Sequence, residues 1–350
     1  MLGSPPRPPI VSTRRMSARP HPRTKPHRGP ARRPGRRVPL YAAIDLGTNN
    51  CRLLIAAPRR DGGLRVVDSF SRIVRLGEGL AHTGTLGDAA IARTVDALTV
   101  CAARMKKHGV AHVRAIATEA ARAARNADVL LARVSEATGI ALDIVSPEEE
   151  ARLAAVGCAP LVGDAYRGAL VFDIGGGSTE LIWIARANES LKPLFSASVP
   201  VGVVSLAEAR RGVSYTALTA ELHETFAQLR WRMERVGAFV PAANHLLGTS
   251  GTVTTLAAVA LGLKRYLRAR VDASWHKTQT ILDVADRLAG LSLEARRAMP
   301  CIGRDRADLM MPGCAIFRAI QAHWPCPELR VADRGLREGM LRELIAETRA

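Results

Sequence analysis

Short apolar runs broken by glycine alternate along the chain with stretches of helical period. Residues 169–172 and 181–184 are apolar and flank Asp173-Ile174-Gly175-Gly176-Gly177-Ser178-Thr179-Glu180, a pattern that predicts a β-hairpin with a glycine-rich bend. Residues 40–56 repeat it: an apolar run ends in Asp45, passes Leu46-Gly47-Thr48-Asn49-Asn50, and resumes as a second apolar run. Aligning Asp45 with Asp173 and Gly47 with Gly175 superimposes two hairpins 128 residues apart. An internal duplication of this kind implies two related halves whose tips face one cleft.

Between the hairpins, residues 64–76 read as a third strand that leaves through Arg75-Leu76-Gly77-Glu78-Gly79-Leu80. Ile91, Val95, Leu98, Ala102 and Met105 recur every three or four positions, predicting an amphipathic helix stopped by Gly109. A strand over 112–117, a helix running to Gly139 and a short strand over 142–145 follow, which gives an α/β domain with a mixed sheet. Ser146-Pro147-Glu148-Glu149-Glu150 opens the next helix, with a serine cap, a proline in the first turn and acidic residues there. In the second half the spacing predicts a strand over 195–201 and a helical stripe of Leu218, Leu222, Phe226, Leu229, Met233 and Val236. A strand from Leu246 then enters Gly248-Thr249-Ser250-Gly251-Thr252, a helix spans 253–263, and a strand from Leu329 joins a terminal helix. His276-Lys277 is expected in a polar loop.

Composition adds a third segment. Residues 1–39 hold ten of the twenty prolines, interleaved with arginine, and cannot build a packed core. Of a net charge of +18, residues 1–40 carry eleven Arg and Lys and no Asp or Glu, so the remainder carries +7. The expected organisation is a disordered basic arm over 1–39, a first α/β domain over 40–160 and a second over 161–350. The arm reads as a solvated tail, a transit-like segment, a contact for nucleic acid or polyphosphate, or an over-extended start with Met16 as the later one. The six cysteines are scattered without a C-x-x-C pair and read as free, mostly buried thiols of a cytoplasmic protein. No run approaches about 18 consecutive apolar residues, so no membrane association is expected.

The chemistry gathers at the hairpin tips. Glycine lets backbone N–H groups turn towards an anion with no Cβ in the way. Carboxylates beside phosphate repel it unless a hard divalent cation lies between them or one of them handles a water molecule. Glutamates at a helix start complement the dipole, which is a structural role. Glu148, Glu149 and Glu150 nevertheless fall directly upstream of the second hairpin and between two phosphate-type loops. A loop of small residues at a helix N-terminus, here Thr249 and Ser250, is an anion or ribose site.

Taken together, AAIDLGTNNCRLLIA, RLGEGL, TEAARAARN, EEEARL and VFDIGGGSTEL, completed by GTSGT and ADRGLREG, resemble the motifs of one family in their order. That family is the exopolyphosphatase and guanosine pentaphosphate phosphohydrolase (Ppx/GppA) family, in the actin-like superfamily of sugar kinases and chaperone ATPases. The resemblance runs from about Tyr41 to the C-terminus. It implies an α/β, actin-like (ribonuclease H-like) duplicated two-domain fold with an interdomain cleft, and a terminal helix at about 337–350 that packs back on the first domain.

It also implies roles. Glu150 would orient or deprotonate the attacking water, with Asp173 and Glu180 as further catalytic carboxylates. Asp45, Asp173 and Glu180 would surround Mg²⁺ or another divalent cation. Gly47, Thr48, Asn49, Arg122, Gly175, Gly176, Gly177, Ser178, Thr249 and Ser250 would contact phosphate. The family commonly has serine at Thr48 and serine or threonine at Asn50. Longer members continue into a helical region resembling His-Asp phosphohydrolases, whereas this chain has no His-Asp dipeptide and looks like the short form. The implied activity is release of terminal orthophosphate from inorganic polyphosphate, of the 5′-γ-phosphate from pppGpp, or of both, by a protein that forms homodimers among its relatives. A kinase or ATPase of the same superfamily, and a non-catalytic binder of polyanions or alarmones, are the alternatives.

Overall fold

The structure, a computed structural model, describes residues 38–187 and 190–349; residues 1–37 of the expected basic arm lie outside the described residues. The first sheet contains β1 (Tyr41–Leu46), β2 (Asn50–Pro58), β3 (Leu64–Ile73), β4 (His112–Ala117) and β5 (Asp143–Ile144), in the order β3-β2-β1-β4-β5. The second contains β6 (Gly168–Ile174), β7 (Thr179–Ala187), β8 (Ser190–Val199), β9 (Asn244–Thr249), β10 (Trp275–Lys277) and β11 (Glu328–Val331), in the order β10-β11-β9-β6-β7-β8. Read from the other edge, β8-β7-β6-β9-β11 repeats the first sheet strand for strand. Over these five strands each sheet has two antiparallel pairs followed by two parallel ones, and β10 adds a third antiparallel pair to the second. The duplicated, two-lobed α/β fold expected from the hairpins is therefore present.

The central strands of both sheets are apolar on both faces, as strands covered by helices must be. Alternate residues of β1 serve two cores. Ala42, Ile44 and Leu46 face the helix Asp88–His108, whose Ile91, Leu98 and Met105 join that core. Tyr41 and Ala43 face Met340, Leu341 and Ile345 of the C-terminal helix, Leu336–Glu347. In the second lobe Leu170, Phe172 and Ile174 of β6 face the large outer core. Ala169 and Val171 face Ala151, Ala154 and Ala155 of the helix Pro147–Cys158. Two helices thus cover the inner faces of the two sheets: Pro147–Cys158 leads from β5 into β6, and Leu336–Glu347 follows β11.

The structure corrects several local readings. His276 and Lys277 belong to β10, an edge strand paired antiparallel to β11, not to a loop. β8 starts at Ser190 and the strand expected over 142–145 shrinks to Asp143–Ile144. The helices Thr278–Gly290 and Met310–His323, which line the outer core, were not anticipated. All six cysteines are free thiols, five of them buried. No helix among the described residues is long and apolar enough to cross a membrane.

Candidate active site

The two hairpin tips close with the same bond. Gly47 N–H donates to Asn50 O at 2.9 Å, and Gly175 N–H donates to Ser178 O at 2.9 Å. The tips also touch each other. A Cβ on Gly176 would fall 2.9 Å from the Thr48 Cβ, and one on Gly177 would fall 2.8 Å from Thr48 Oγ1. Glycine is thus needed at both positions for the lobes to approach, a demand separate from phosphate binding.

Behind the tips lies a cavity of about 610 Å³ between the lobes. Asp45, Glu150, Asp173 and Glu180 line it, together with Gly47, Asn49, Gly175, Thr249 and Ser250. Of the residues expected at the site, Thr48, Arg122, Gly176, Gly177 and Ser178 do not line it. Arg122 is instead engaged by protein: it donates to Val145 O at 2.7 Å, to Glu119 at 2.6 Å and to Glu150 at 3.3 Å.

Hairpin register places the carboxylates. Asp173 stands directly opposite Glu180 across β6 and β7, and Asp45 stands opposite Arg52 across β1 and β2. Glu150 comes from the first turn of Pro147–Cys158, where the Ser146 hydroxyl accepts from Glu149 N–H at 3.2 Å and proline sits in the first turn. Burial is the main force on all four groups, and it favours the neutral acid. It lifts Asp173 to about 6, opposed by Arg52 and reinforced by Asp45. Burial and then Asp173 raise Glu180, against hydrogen bonds from Ser178 and from Ser198, the latter at 2.8 Å. Burial and then Glu180 raise Glu150, against the attraction of Arg122. Asp45 is raised by burial, against Arg52 and Arg337.

Five arginines share the lining with the carboxylates: Arg52, Arg268, Arg306, Arg334 and Arg337. Arg268 pairs with Glu338 at 2.9 Å and Arg334 pairs with Asp272. Among the described residues Arg52, Arg306 and Arg337 enter no ion pair. Arg306 Nη1 and Arg52 Nη2 lie 3.6 and 4.0 Å from the point a Gly251 Cβ would occupy, beside the start of the helix Ser250–Ala260. Ser250 is held at φ 93°, and its buried hydroxyl has no partner. The Asn49 and Asn50 side-chain oxygens are likewise buried without partners.

The carboxylates fit a divalent cation. They form a hard-oxygen set, each pushed towards neutrality by burial and most also by mutual repulsion, and a cation would reverse that push. Among the described residues no three His, Cys, Asp or Glu side chains converge closely enough to hold a metal by themselves. Phosphate oxygens and water would supply the other ligands, as is usual for Mg²⁺.

Arg52 is the main residue that the sequence reading passed over. The alignment that sets Asp45 on Asp173 also sets Arg52 on Glu180, since each is the seventh residue after its aspartate. Arg334 and Arg337 stand within ADRGLREG, while Arg306 has no local motif to mark it.

The duplicated fold and the charged cavity at its centre define a two-lobed enzyme that acts on phosphate groups. Residues 55–348 match the Ppx/GppA phosphatase family, and the chain belongs to that family. It is 34% identical over 313 residues to Exopolyphosphatase 2 of Mycobacterium tuberculosis, covering 85% of this chain and 96% of that one. It is 30% identical over 324 residues to the guanosine-5′-triphosphate,3′-diphosphate pyrophosphatase of Vibrio vulnificus, covering 89% of this chain and 60% of that one. Among solved structures, the Aquifex aeolicus Ppx/GppA family member superimposes with a TM-score of 0.71 at 28% identity, over 89% of this chain and 99% of the other.

Proposed function

We propose that the protein hydrolyses phosphoanhydride bonds, releasing terminal orthophosphate from inorganic polyphosphate, the 5′-γ-phosphate of pppGpp, or both. The observation that carries this reading is Glu150: a carboxylate lining the cavity, with its proton affinity raised by burial and by Glu180, and with one guanidinium fixing its orientation. A general base works best when its pKa is brought near the working pH, and burial is the usual way to raise a glutamate.

Glu150 orients the attacking water and takes its proton as the bond to phosphorus forms. Arg122, which does not line the cavity, holds the Glu150 carboxylate. Backbone N–H groups of the two hairpin tips, the orphaned Ser250 hydroxyl and the N-terminus of Ser250–Ala260 bind the terminal phosphate oxygens. Arg52, Arg306 and Arg337 take the following phosphates, whose charge their unpaired guanidiniums match. Asp45, Asp173 and Glu180 are the side chains that would share in holding Mg²⁺, with phosphate oxygens and water completing its ligands, and the ion would supply charge neutralisation at the phosphate. The relatives named above support both substrates; the one matched over 96% of its length is an exopolyphosphatase.

The test is orthophosphate release from long-chain polyphosphate and from pppGpp with Mg²⁺, for wild type and Glu150→Gln. Release by wild type and its loss in the variant are expected. No release from either substrate, or an undiminished variant, sinks the proposal.

A further inference from the structure

Four side chains outside the cavity form a closed ion network at the start of the helix that carries Glu150. Arg114 of β4 donates to Glu149 at 2.8 Å and to Glu343 of the C-terminal helix at 3.1 Å. Arg152 donates to Glu149 at 2.7 and 2.9 Å and also bridges to Glu343, at 2.8 Å through Nη2. Each arginine therefore spans both glutamates, and each glutamate accepts from both arginines.

The network is the last rung of a longer seam. On Pro147–Cys158 the residues Glu149, Leu153 and Gly157 lie four apart on one face. Opposite them, in reverse order, stand Glu343, Gly339 and Gly335 at the C-terminal helix. A Cβ on Gly339 would sit 2.0 Å from Leu153 O, and a Cβ on Gly157 would sit 1.9 Å from Gly335 O. The backbones are thus in contact along two rungs, and the ion network closes the third. Backbone contact fixes the distance between the helices, while the network fixes rotation at the end where Glu150 emerges.

We propose that Glu343 is a positioning residue for Glu150, acting through Arg114, Arg152 and Glu149. This rests on the catalytic reading of Glu150 given above. Glu343 does not line the cavity, so it acts without touching substrate. Partly exposed ion pairs contribute little to stability, and with side-chain exposures of 21% for Glu343 and 47% for Arg152 this network is of that kind. What four charges in one closed loop can do is hold a helix start to within a fraction of an ångström. Catalysis is sensitive to displacements on that scale.

The experiment compares wild type, Glu343→Gln and Arg114→Lys on polyphosphate, together with amide hydrogen exchange of the folded proteins. Lysine keeps the charge but lacks the fork that spans two carboxylates. In both variants kcat is expected to fall about tenfold with KM held within about twofold, the signature of lost alignment and not of lost binding. Exchange at the amides of residues 149–151 is expected to quicken, while that of residues 153–157 stays as in wild type. Unchanged exchange at 149–151 overturns the proposal whatever the activity. So does a variant whose melting temperature drops while kcat per folded molecule is that of wild type. If Glu150→Gln abolishes turnover and Glu343→Gln does not lower it, only the positioning role fails; if wild type itself releases no phosphate, the catalytic reading fails, and the exchange data still judge the network.

Discussion

Asp173→Asn separates what the cavity does for chemistry from what it costs in stability. The Asp173 carboxyl is lifted from 3.8 to about 6, with burial as the largest cause, attraction by Arg52 second and repulsion by Asp45 third; no hydrogen bond contributes. A rise of that size corresponds to about 3 kcal/mol, at about 1.4 kcal/mol for each tenfold change in proton affinity. Because the folded value is raised, stability is fully present below pH 3.8 and is lost as the pH climbs through about 6. At pH 7 the carboxylate therefore destabilises the cation-free protein by up to about 3 kcal/mol, an upper bound because the group faces a cavity that admits water. Asparagine removes that charge and forfeits no protein hydrogen bond. Urea denaturation of the cation-free protein should show the variant more stable at pH 7, with the gain shrinking towards zero near pH 4. Mg²⁺ should raise the melting temperature of wild type and not of the variant, and the variant should release no orthophosphate. A variant less stable than wild type at pH 7, or a gain independent of pH, would refute the reasoning.

Arg122→Gln removes the cation that lowers the proton affinity of Glu150, so the acid limb of kcat/KM against pH should move to higher pH. Ser250→Gly should relieve the left-handed φ of 93° and stabilise the protein by about 1 kcal/mol in denaturant titrations, while raising KM through loss of the unpartnered hydroxyl. Arg52→Ala should raise KM for polyphosphate about tenfold and flatten its dependence on salt, measured from 50 to 300 mM as about a sixfold span of ionic strength. Gly339→Ala would drive a Cβ to 2.0 Å from Leu153 O, and calorimetry should record a loss of about 3 kcal/mol.

The elements legible in the sequence are those whose signal is local. Gly47 and Gly175 mark turns between apolar runs, and the same pattern occurring twice exposes the duplication that the strand orders share. Thr278–Gly290 carries an equally local signal, Ile281, Ala285 and Leu288 at helical spacing, although that helix was not anticipated. Met310–His323 is different. Pro312, Gly313, Ile316, Phe317 and Ile320 are all buried, its polar residues Arg318, Gln321 and His323 fall only in its second half, and Pro312 reads as a breaker although it stands in the first turn. β10 is three polar or aromatic residues held only by pairing with β11, and nothing within it announces a strand. At the site, the carboxylates were legible as motifs. That Arg122 turns towards Glu150 and Glu119 instead of the cavity depends on how a short helix, Glu119–Ala123, meets the start of Pro147–Cys158. That is a tertiary fact with no trace in either segment.

The duplicated hairpins have diverged at the position that decides their charge. In the second, Asp173 faces Glu180, and two buried carboxylates raise each other's neighbourhood in negative charge. In the first, Asp45 faces Arg52, and the guanidinium offsets both Asp45 and Asp173. Had both tips kept the acidic pair, the cavity would repel every phosphate presented to it. Had both acquired arginine, nothing would hold a cation or place a water. The cavity therefore carries both signs of charge, the carboxylates Asp45, Glu150, Asp173 and Glu180 together with the guanidiniums Arg52, Arg306 and Arg337. With the arginines taking the inner phosphates of a polyanion and the carboxylates facing its last one, terminal and not internal cleavage would follow. Exchanging the two residues, Arg52→Glu with Glu180→Arg, keeps the cavity's net charge while putting an acid among the arginines and an arginine among the acids. If the placement of the charges is what the divergence supplies, the doubly substituted protein should still bind polyphosphate in a salt-sensitive way and yet release no orthophosphate; retained release would show that net charge alone suffices.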